Sequence, residues 1–190
     1  MSPIQFPLHG RHVALIDGCT GFGLCLASIV RASGGYISLL GRDEDNLHEA
    51  AHELHGARIV VRRNDPLRDL SDLLQGAAPV DHLIMPASVN RACSENGDAT
   101  LDLGACRISD LVSRALLLTP AHCQIALMGC DDDALEDDLL RLLSEHASPA
   151  PVMMLDNCDM QTIANSVLNE ILSRPARLQL LRGRMRLEEA

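Results

Sequence analysis

The stretch Asp17–Ala27, DGCTGFGLCLA, carries glycines at Gly18, Gly21 and Gly23 and follows the short apolar run His12–Ile16, HVALI. An apolar run, a glycine-rich turn and a second apolar stretch predict a strand that turns tightly into a helix. In this arrangement Gly18 lets the backbone turn and Gly21 leaves room for a phosphate. Gly23 lets the helix pack close to the strand.

A helix that begins at such a turn points its first amide N–H groups at an anion, and the helix dipole adds to the attraction. We therefore predict that Gly18, Gly21 and Gly23, with Thr20 and Phe22 between them, hold the phosphates of a nucleotide. Glycines at similar spacing also occur in tight turns that bind nothing, so a purely structural turn is the alternative.

Segments with the apolar periods of strands and of helices alternate along the chain. Strands are predicted at 12–16, 36–40, 57–61, 81–87, 124–129, 150–156 and 178–187, and helices at 21–33, 43–56, 66–76, 101–118, 131–147 and 160–174. This alternation predicts a single α/β domain over residues 1–190. We expect a Rossmann-like, doubly wound sheet of about six or seven mostly parallel strands with helices on both faces.

Composition narrows the class of protein. The 190 residues fit one domain, and the core must be aliphatic because 47% of residues are hydrophobic but only 2% aromatic. The net charge of −10 argues against nucleic acid as a partner, since phosphate backbones are held by clustered positive charge. Seven cysteines without a C-x-x-C pair indicate reduced thiols in a cytoplasmic protein. No apolar run resembles a signal peptide or membrane span, so we expect no membrane partner.

The end of the second predicted strand indicates which nucleotide fits. An acidic residue there binds the ribose hydroxyls of NAD, whereas an arginine accommodates the 2′-phosphate of NADP. Here Gly41 and Arg42 follow the apolar run, with no carboxylate directly at the strand end. We therefore expect NADP(H) as the cofactor, held in part by Arg42, with NAD(H) as the second possibility. A solvated loop arginine is the alternative.

Several segments resemble the short-chain dehydrogenase/reductase family. They are VALIDGCTGFGLCLA (13–27), LLGRDEDNL (39–47), NDPLRDL (64–70), PVDHLIMPAS (79–88) and, more loosely, QTIANSVLNEILSRPARLQLLRGRMRL (161–187). The resemblance implies a nicotinamide cofactor, a small-molecule substrate and oxidoreductase chemistry. The family's Asp near the adenine is replaced by Arg62, and the resemblance implies that Asp65 takes this role. Of the family's Asn-Asn-Ala-Gly at the end of the fourth strand, only Ala87 is matched.

The catalytic residues of the family have no match. Its members use a Ser after the fifth strand and a Tyr-x-x-x-Lys on the next helix, in which Tyr donates a proton and Lys lowers its pKa. Here the only tyrosine is Tyr36, in the second predicted strand, and all 16 basic residues are arginines. The resemblance places Gly129 or Cys130 near the Ser position and Asp132 near the Lys position, in a shortened second half. The resemblance thus implies an atypical, truncated member, an NADP(H)-dependent oxidoreductase of unusual type if it is active.

Residues after the fifth predicted strand offer other chemistry. Cys130, Asp131 and Asp132 are the catalytic candidates, Cys130 through its thiol and the two aspartates as paired carboxylates for acid–base catalysis. Capping of the following helix is the alternative for the acidic residues. Two further functions therefore stay open: a non-redox binding or scaffold partner, and a small lyase or isomerase that uses Asp131–Asp133.

His48, His52 and His55 recur at helical spacing and share one helix face. Three imidazoles on one face suit zinc or nickel. A solvated or subunit-facing surface is the favoured interpretation, and we expect no metal.

The resemblance also implies a homodimer or larger homo-oligomer, paired through the helices that flank the fifth strand. The leucines expected on that face are Leu111, Leu116, Leu139 and Leu143. The alternative is that they belong to the core, because leucines at helical spacing are usual there as well.

Overall fold

The protein is described by a computed structural model. The structure describes residues 7–19, 21–61, 65–76, 78–86, 108–128, 153–155, 164–165, 168–169, 172 and 178–183. Within these residues seven strands and four helices are defined. The strands are β1 (His12–Ile16), β2 (Tyr36–Gly41), β3 (Arg58–Val61), β4 (His82–Pro86), β5 (Gln124–Met128), β6 (Met153–Leu155) and β7 (Leu178–Gly183), and the helices are α1 (Gly21–Ala32), α2 (Glu44–Glu53), α3 (Pro66–Leu74) and α4 (Ile108–Leu118).

The strands form one sheet in the order β3-β2-β1-β4-β5-β7-β6, and every neighbouring pair is parallel. Because all strands run the same way, the sheet has an amino edge where they begin and a carboxyl edge where they end. Helices α1 to α3 occupy the connections between β1, β2, β3 and β4, as parallel neighbours require a crossover. The predicted Rossmann-like α/β class is confirmed, with the last two strands placed out of chain order.

Each face of the sheet carries its own apolar core. On one face Leu70 and Leu73 of α3 pack with Leu111 and Val112 of α4 against side chains of β1, β4 and β5. On the other face residues of α1 and α2, including Leu26 and Leu47, pack with Ala164 and Leu168. The strands are therefore covered on both faces, which explains why β1 is buried at all five positions.

Most predicted bounds agree with the structure to within two residues. The clearest difference is α2, which ends at Glu53 although the sequence pattern favoured 56. Helix α4 is described from Ile108, and residues 101–107 of the predicted helix lie outside the described residues. The predicted helix 131–147 also lies outside them.

The predicted subunit-contact leucines of α4 belong to the interior. Leu111 and Leu116 are 2% and 7% exposed and lie in the core on the α3 side of the sheet. Leu117 of α4, by contrast, is apolar and 79% exposed to solvent. Leu139 and Leu143 lie outside the described residues.

Candidate nucleotide site

The glycine-rich turn lies at the carboxyl edge, between β1 and α1. The amide of Asp17 donates to the carbonyl of Leu40 at 2.7 Å, so hydrogen bonding between β1 and β2 continues into the turn. The backbone then enters the left-handed region at Asp17, with φ of 55°, and again at Gly21, with φ of 50°. A left-handed conformation is costly for any residue with a Cβ, so the turn needs glycine at the second of these positions.

The three glycines have different packing environments. A Cβ on Gly18 would lie 2.8 Å from the side chains of Leu15 and Leu39. A Cβ on Gly23 would lie 2.3 Å from the carbonyl oxygen of Asp17. A Cβ on Gly21 would meet nothing within 4 Å. Gly18 and Gly23 thus allow close packing of strand, turn and helix, while Gly21 leaves open space in front of the helix.

The start of α1 is suited to an anion. Its first turn contains no acidic residue, and the helix is 12 residues long. The free amide groups of a helix start carry a partial positive charge, so an anion in the open space at Gly21 would be favoured. Phe22 is only partly exposed because it packs against the core on the α1 face, and Thr20 lies outside the described residues.

The second part of the candidate site is the end of β2. Gly41 lies against the turn, because a Cβ there would approach the Sγ atom of Cys19 to 3.0 Å. Arg42 follows and is exposed. Asp43 caps α2, since its Oδ1 accepts a hydrogen bond from the amide of Asn46 at 3.0 Å. The end of β2 is therefore followed by the guanidinium of Arg42 and by a carboxylate, that of Asp43, which accepts the capping hydrogen bond of α2.

Cys19 lies beneath the turn and is 9% exposed. Burial raises the pKa of its thiol, and the negative charges of Asp17 and Asp43 raise it further, against a smaller opposing effect of a backbone hydrogen bond. The thiol is therefore kept protonated at neutral pH, which makes it a poor nucleophile. Cys19 acts here as a small packing residue between the turn and β2.

Asp65, expected near the adenine, caps the next helix. Its Oδ1 accepts from the amide of Arg68 at 3.1 Å, and Pro66 occupies the first helical position. Both are usual at a helix start. The role of Asp65 toward an adenine stays a prediction.

The other residues considered for cofactor binding or catalysis either lie outside the described residues or lie at the amino edge. Ala87, Cys130, Asp131 and Asp132 lie outside the described residues. Tyr36 opens β2 at the amino edge and is 60% exposed. Since β2 rises by roughly 3.3 Å per residue, the tyrosine is separated from the glycine turn by most of the strand's length. It cannot donate a proton at the carboxyl edge.

No cation site or membrane helix is found where the structure can be described. Among the described residues no three His, Cys, Asp or Glu side chains are grouped to hold a metal ion. His48 and His52 lie exposed on α2, and the ring Nδ1 of His48 contacts the carbonyl of Glu44 at 2.8 Å. The helices of the described ranges are all too short or too polar to cross a membrane.

Comparison with solved structures identifies the architecture. A short-chain dehydrogenase/reductase of Brucella melitensis superposes with a TM-score of 0.68 over 95% of this chain and 97% of its own, at 17% identity. The chain has the short-chain dehydrogenase/reductase fold. RhlG of Pseudomonas aeruginosa, solved with NADP, gives a TM-score of 0.65 over 96% of this chain and 97% of its own, at 12% identity. BdcA of E. coli, solved with NADPH, gives 0.61 over 93% of both chains, also at 12% identity.

Sequence comparison shows that part of the chain is similar to known reductases. A 3-dehydrosphinganine reductase of Arabidopsis thaliana is 30% identical over 93 residues, which are 46% of this chain and 28% of that reductase. A 3-ketodihydrosphingosine reductase of Bos taurus is 37% identical over 54 residues, 28% of this chain and 16% of its own. The chain thus spans less than a third of these relatives. No family model matches the sequence.

Proposed function

We propose that the protein binds a nicotinamide dinucleotide at the carboxyl edge, with the pyrophosphate at the glycine turn and NADP(H) preferred over NAD(H). The observation that carries the proposal is Gly21, which opens α1 in a left-handed conformation with no atom within 4 Å of the position that a Cβ would take. Backbone amides are thereby left open to an anion at the site where parallel α/β sheets bind their ligands.

The preference for NADP(H) is supported by the end of β2. Arg42 is exposed there, and the nearest carboxylate in sequence, that of Asp43, accepts the capping hydrogen bond of α2. A guanidinium suits a 2′-phosphate because its planar set of donors matches phosphate oxygens. RhlG and BdcA, which share the fold, were solved with NADP and NADPH.

We also propose that the proton-transfer step used by the family is lost in this chain. The sequence contains no lysine, and its single tyrosine, Tyr36, lies at the amino edge. A bound nicotinamide supplies hydride chemistry by itself, but general acid catalysis typically adds about 10²–10⁴-fold to the rate. Any reductase activity of this chain is therefore slow, or depends on another proton donor.

The deciding experiment is a titration of the purified protein with NADPH and, in parallel, with NADH, followed by nicotinamide fluorescence. The chain has no tryptophan, so protein emission contributes little background. We expect saturable binding of both nucleotides, tighter for NADPH. Arg42→Gln should weaken NADPH about tenfold and leave NADH nearly unchanged, because a charged hydrogen-bond partner is worth roughly 1.5–3 kcal/mol.

Arg31→Gln is the matched control, since it removes the same charge from the end of α1 at the amino edge. If neither nucleotide binds at millimolar concentration, the turn is structural and the cofactor proposal is wrong. If binding occurs but Arg42→Gln weakens both nucleotides equally, the NADP(H) preference is wrong.

A further inference from the structure

A cavity of about 290 Å³ opens at the amino edge of the sheet, whereas the glycine turn lies at the carboxyl edge. It lies where β2 and β3 begin, between the end of α1 and the turn that follows α2. Arg31, Tyr36, Ile37, Leu54 and Arg58 are among the residues that line it. Its volume is near the lower limit for small-molecule sites, which is about 300 Å³.

The charge of the cavity is opposite to that of the chain. The sequence carries 26 acidic residues and a net charge of −10, yet no lining residue is acidic. The two arginines are oriented by backbone carbonyls. Arg58 donates to the carbonyls of Leu73 and Asp72 at 2.7 and 2.6 Å. Arg31 donates to those of Gly35 and His55 at 3.3 and 3.5 Å.

These hydrogen bonds hold the guanidinium groups without neutralising them. A guanidinium has five N–H donors, so each arginine keeps donors beyond the two that the carbonyls use. Among the described residues, neither Arg31 nor Arg58 belongs to the ion pairs formed around Asp81. The two arginines reach the cavity from different faces of the sheet. Arg58 is in register with Ser38 and lies on the α3 face, whereas Arg31 lies on the α1 and α2 face with Ile37 and Leu54. The described lining offers neither arginine a carboxylate as counter-ion.

The inner part of the cavity is apolar and inert. Ile37 and Leu54 are 5% and 3% exposed and provide aliphatic surface. His12 and Ser38 also line the cavity, but His12 Nε2 and Ser38 Oγ are hydrogen-bonded to each other at 2.8 Å. Ser38 has no exposed surface, so the pair cannot present a nucleophile to a substrate. The arrangement favours binding over catalysis.

We propose that this cavity binds a small apolar carboxylic acid. The carboxylate lies on the guanidinium group of Arg31, and the hydrocarbon part lies against Ile37 and Leu54 on the same face of the sheet. Arginine is suited to this task because it binds carboxylates with two parallel N–H donors. The site is separate from the proposed nucleotide site, and neither depends on the other.

The chain contains its own reporter for this site. Tyr36 lines the cavity, and it is the only tyrosine of a chain without tryptophan. Titration with cyclohexanecarboxylate, which does not absorb at the excitation wavelength of tyrosine, should therefore give a saturable change in protein emission. Saturation-transfer NMR on the ring protons of the ligand gives a second readout that does not depend on Tyr36.

Two comparisons make the test specific. Cyclohexanecarboxamide has nearly the same shape without the charge, and we expect it to bind at least about tenfold more weakly. Arg31→Gln should weaken cyclohexanecarboxylate by a similar factor, whereas Arg68→Gln, the same change on the exposed surface of α3, should not. Arg31 is chosen over Arg58 because its carbonyl contacts are longer, so its loss disturbs the fold less.

The proposal is overturned by any of three results. The first is the absence of saturable binding of cyclohexanecarboxylate in both readouts up to about 10 mM. The second is equal affinity for the acid and the amide, and the third is an equal effect of Arg31→Gln and Arg68→Gln. None of these results bears on NADPH binding, which is measured separately at the other edge.

Discussion

The two edges of the sheet are built in different ways. At the carboxyl edge the turn between β1 and α1 exposes backbone, with a left-handed Gly21 at which an added Cβ would meet no atom within 4 Å. At the amino edge polar side chains are paired with one another. Asp81 accepts hydrogen bonds from Arg11 Nη1 and from the amide of His12, both at 2.8 Å, and lies 3.6 Å from the Nε2 of His122.

This difference indicates which edge is organised for a ligand and which for stability. Exposed helix-start amides are unsatisfied unless water or an anion binds them, so the carboxyl edge gains most from a ligand. The amino edge satisfies most of its described polar groups internally, and the exceptions are His82 Nδ1 and Gln124 Oε1, which are buried without a hydrogen-bond partner. Substitutions at the two edges should therefore separate effects on binding from effects on folding.

The largest effect is expected for Gly21→Asp. The new carboxylate lies where the pyrophosphate is proposed to bind, and juxtaposed like charges cost several kcal/mol. We expect the Kd for NADPH to rise by at least about a hundredfold in the nicotinamide fluorescence titration.

The matched control is Gly10→Asp. Gly10 precedes β1 near the amino edge and also has a positive φ, of 75°, and a Cβ added there would likewise meet nothing within 4 Å. The two variants therefore share the backbone strain and the added charge. Equal affinity of both variants for NADPH would contradict the proposed phosphate site.

The next effect concerns packing at the carboxyl edge. In Gly23→Ala the new Cβ would lie 2.3 Å from the carbonyl oxygen of Asp17, so the turn or the helix must shift. Overpacking of this kind typically costs about 1–3 kcal/mol. We expect that loss in the free energy of unfolding by urea, together with weaker NADPH binding.

Gly10→Ala provides the comparison, because its cost is that of the left-handed backbone alone. We expect it to leave NADPH affinity unchanged and to lower the free energy of unfolding by roughly 1–2 kcal/mol. A Gly23→Ala protein that is as stable as the wild type would show that the turn is looser than the structure indicates.

The sequence predicts the sheet well because its evidence is local. The apolar run of β1, the glycines after it and the Pro66 at the start of α3 each identify an element from a few neighbouring residues. The order of the last strands is not local. β7 lies between β5 and β6, and no short motif in the sequence encodes that order.

The site is predicted less well for the same reason. The left-handed Asp17 and the contact of Cys19 with Gly41 depend on how two loops meet at the carboxyl edge. The sequence gives one indication of the amino-edge cavity, which is that His12 and Ser38 are polar residues within otherwise apolar strands. Nothing in the sequence pairs them, because they are 26 residues apart.

At the amino edge a smaller effect is expected for Asp81→Asn. Burial raises the pKa of the Asp81 carboxyl, but the amide of His12 and the hydrogen bond and charge of Arg11 outweigh it and hold the pKa below its ordinary 3.8. A lowered carboxyl pKa contributes stability above the ordinary value, and this is lost as the pH falls through the folded-state value. We expect Asp81→Asn to lose roughly 1 kcal/mol at pH 7 and less at pH 3.

Arg11→Gln removes the Arg11 ion pair of Asp81 and keeps the hydrogen bond from the His12 amide. Urea unfolding of this variant at pH 7 and pH 3 therefore separates the two contributions. Arg11 is 57% exposed, so its ion pair is screened by solvent and contributes less than the hydrogen bond from the buried backbone of β1. We therefore expect a smaller loss for Arg11→Gln than for Asp81→Asn. A pH-independent difference between wild type and Asp81→Asn would contradict the assignment to ionisation.

The smallest effect is expected at His82, which pairs in register with Gln124 across β4 and β5. Burial lowers the pKa of its imidazole, against opposing effects of the Asp81 charge and of Gln124, and with smaller lowering effects of Arg11 and His122. Among the described residues its Nδ1 and the Oε1 of Gln124 are buried without a hydrogen-bond partner. The neutral ring is therefore the form that the fold accommodates.

A lowered histidine pKa means that the unfolded chain binds the proton more readily than the folded one. The free energy of unfolding should then fall as the pH falls from the ordinary value of 6.5 toward the folded-state pKa, with each unit of difference equal to about 1.4 kcal/mol. His82→Gln removes the titrating ring and should flatten this slope between pH 7 and pH 5. His122→Asn should not flatten it, because the side chain of His122 is 58% exposed at the surface of the amino edge. If His122→Asn flattens the slope and His82→Gln does not, the acid sensitivity of the amino edge arises at its surface and not within the sheet.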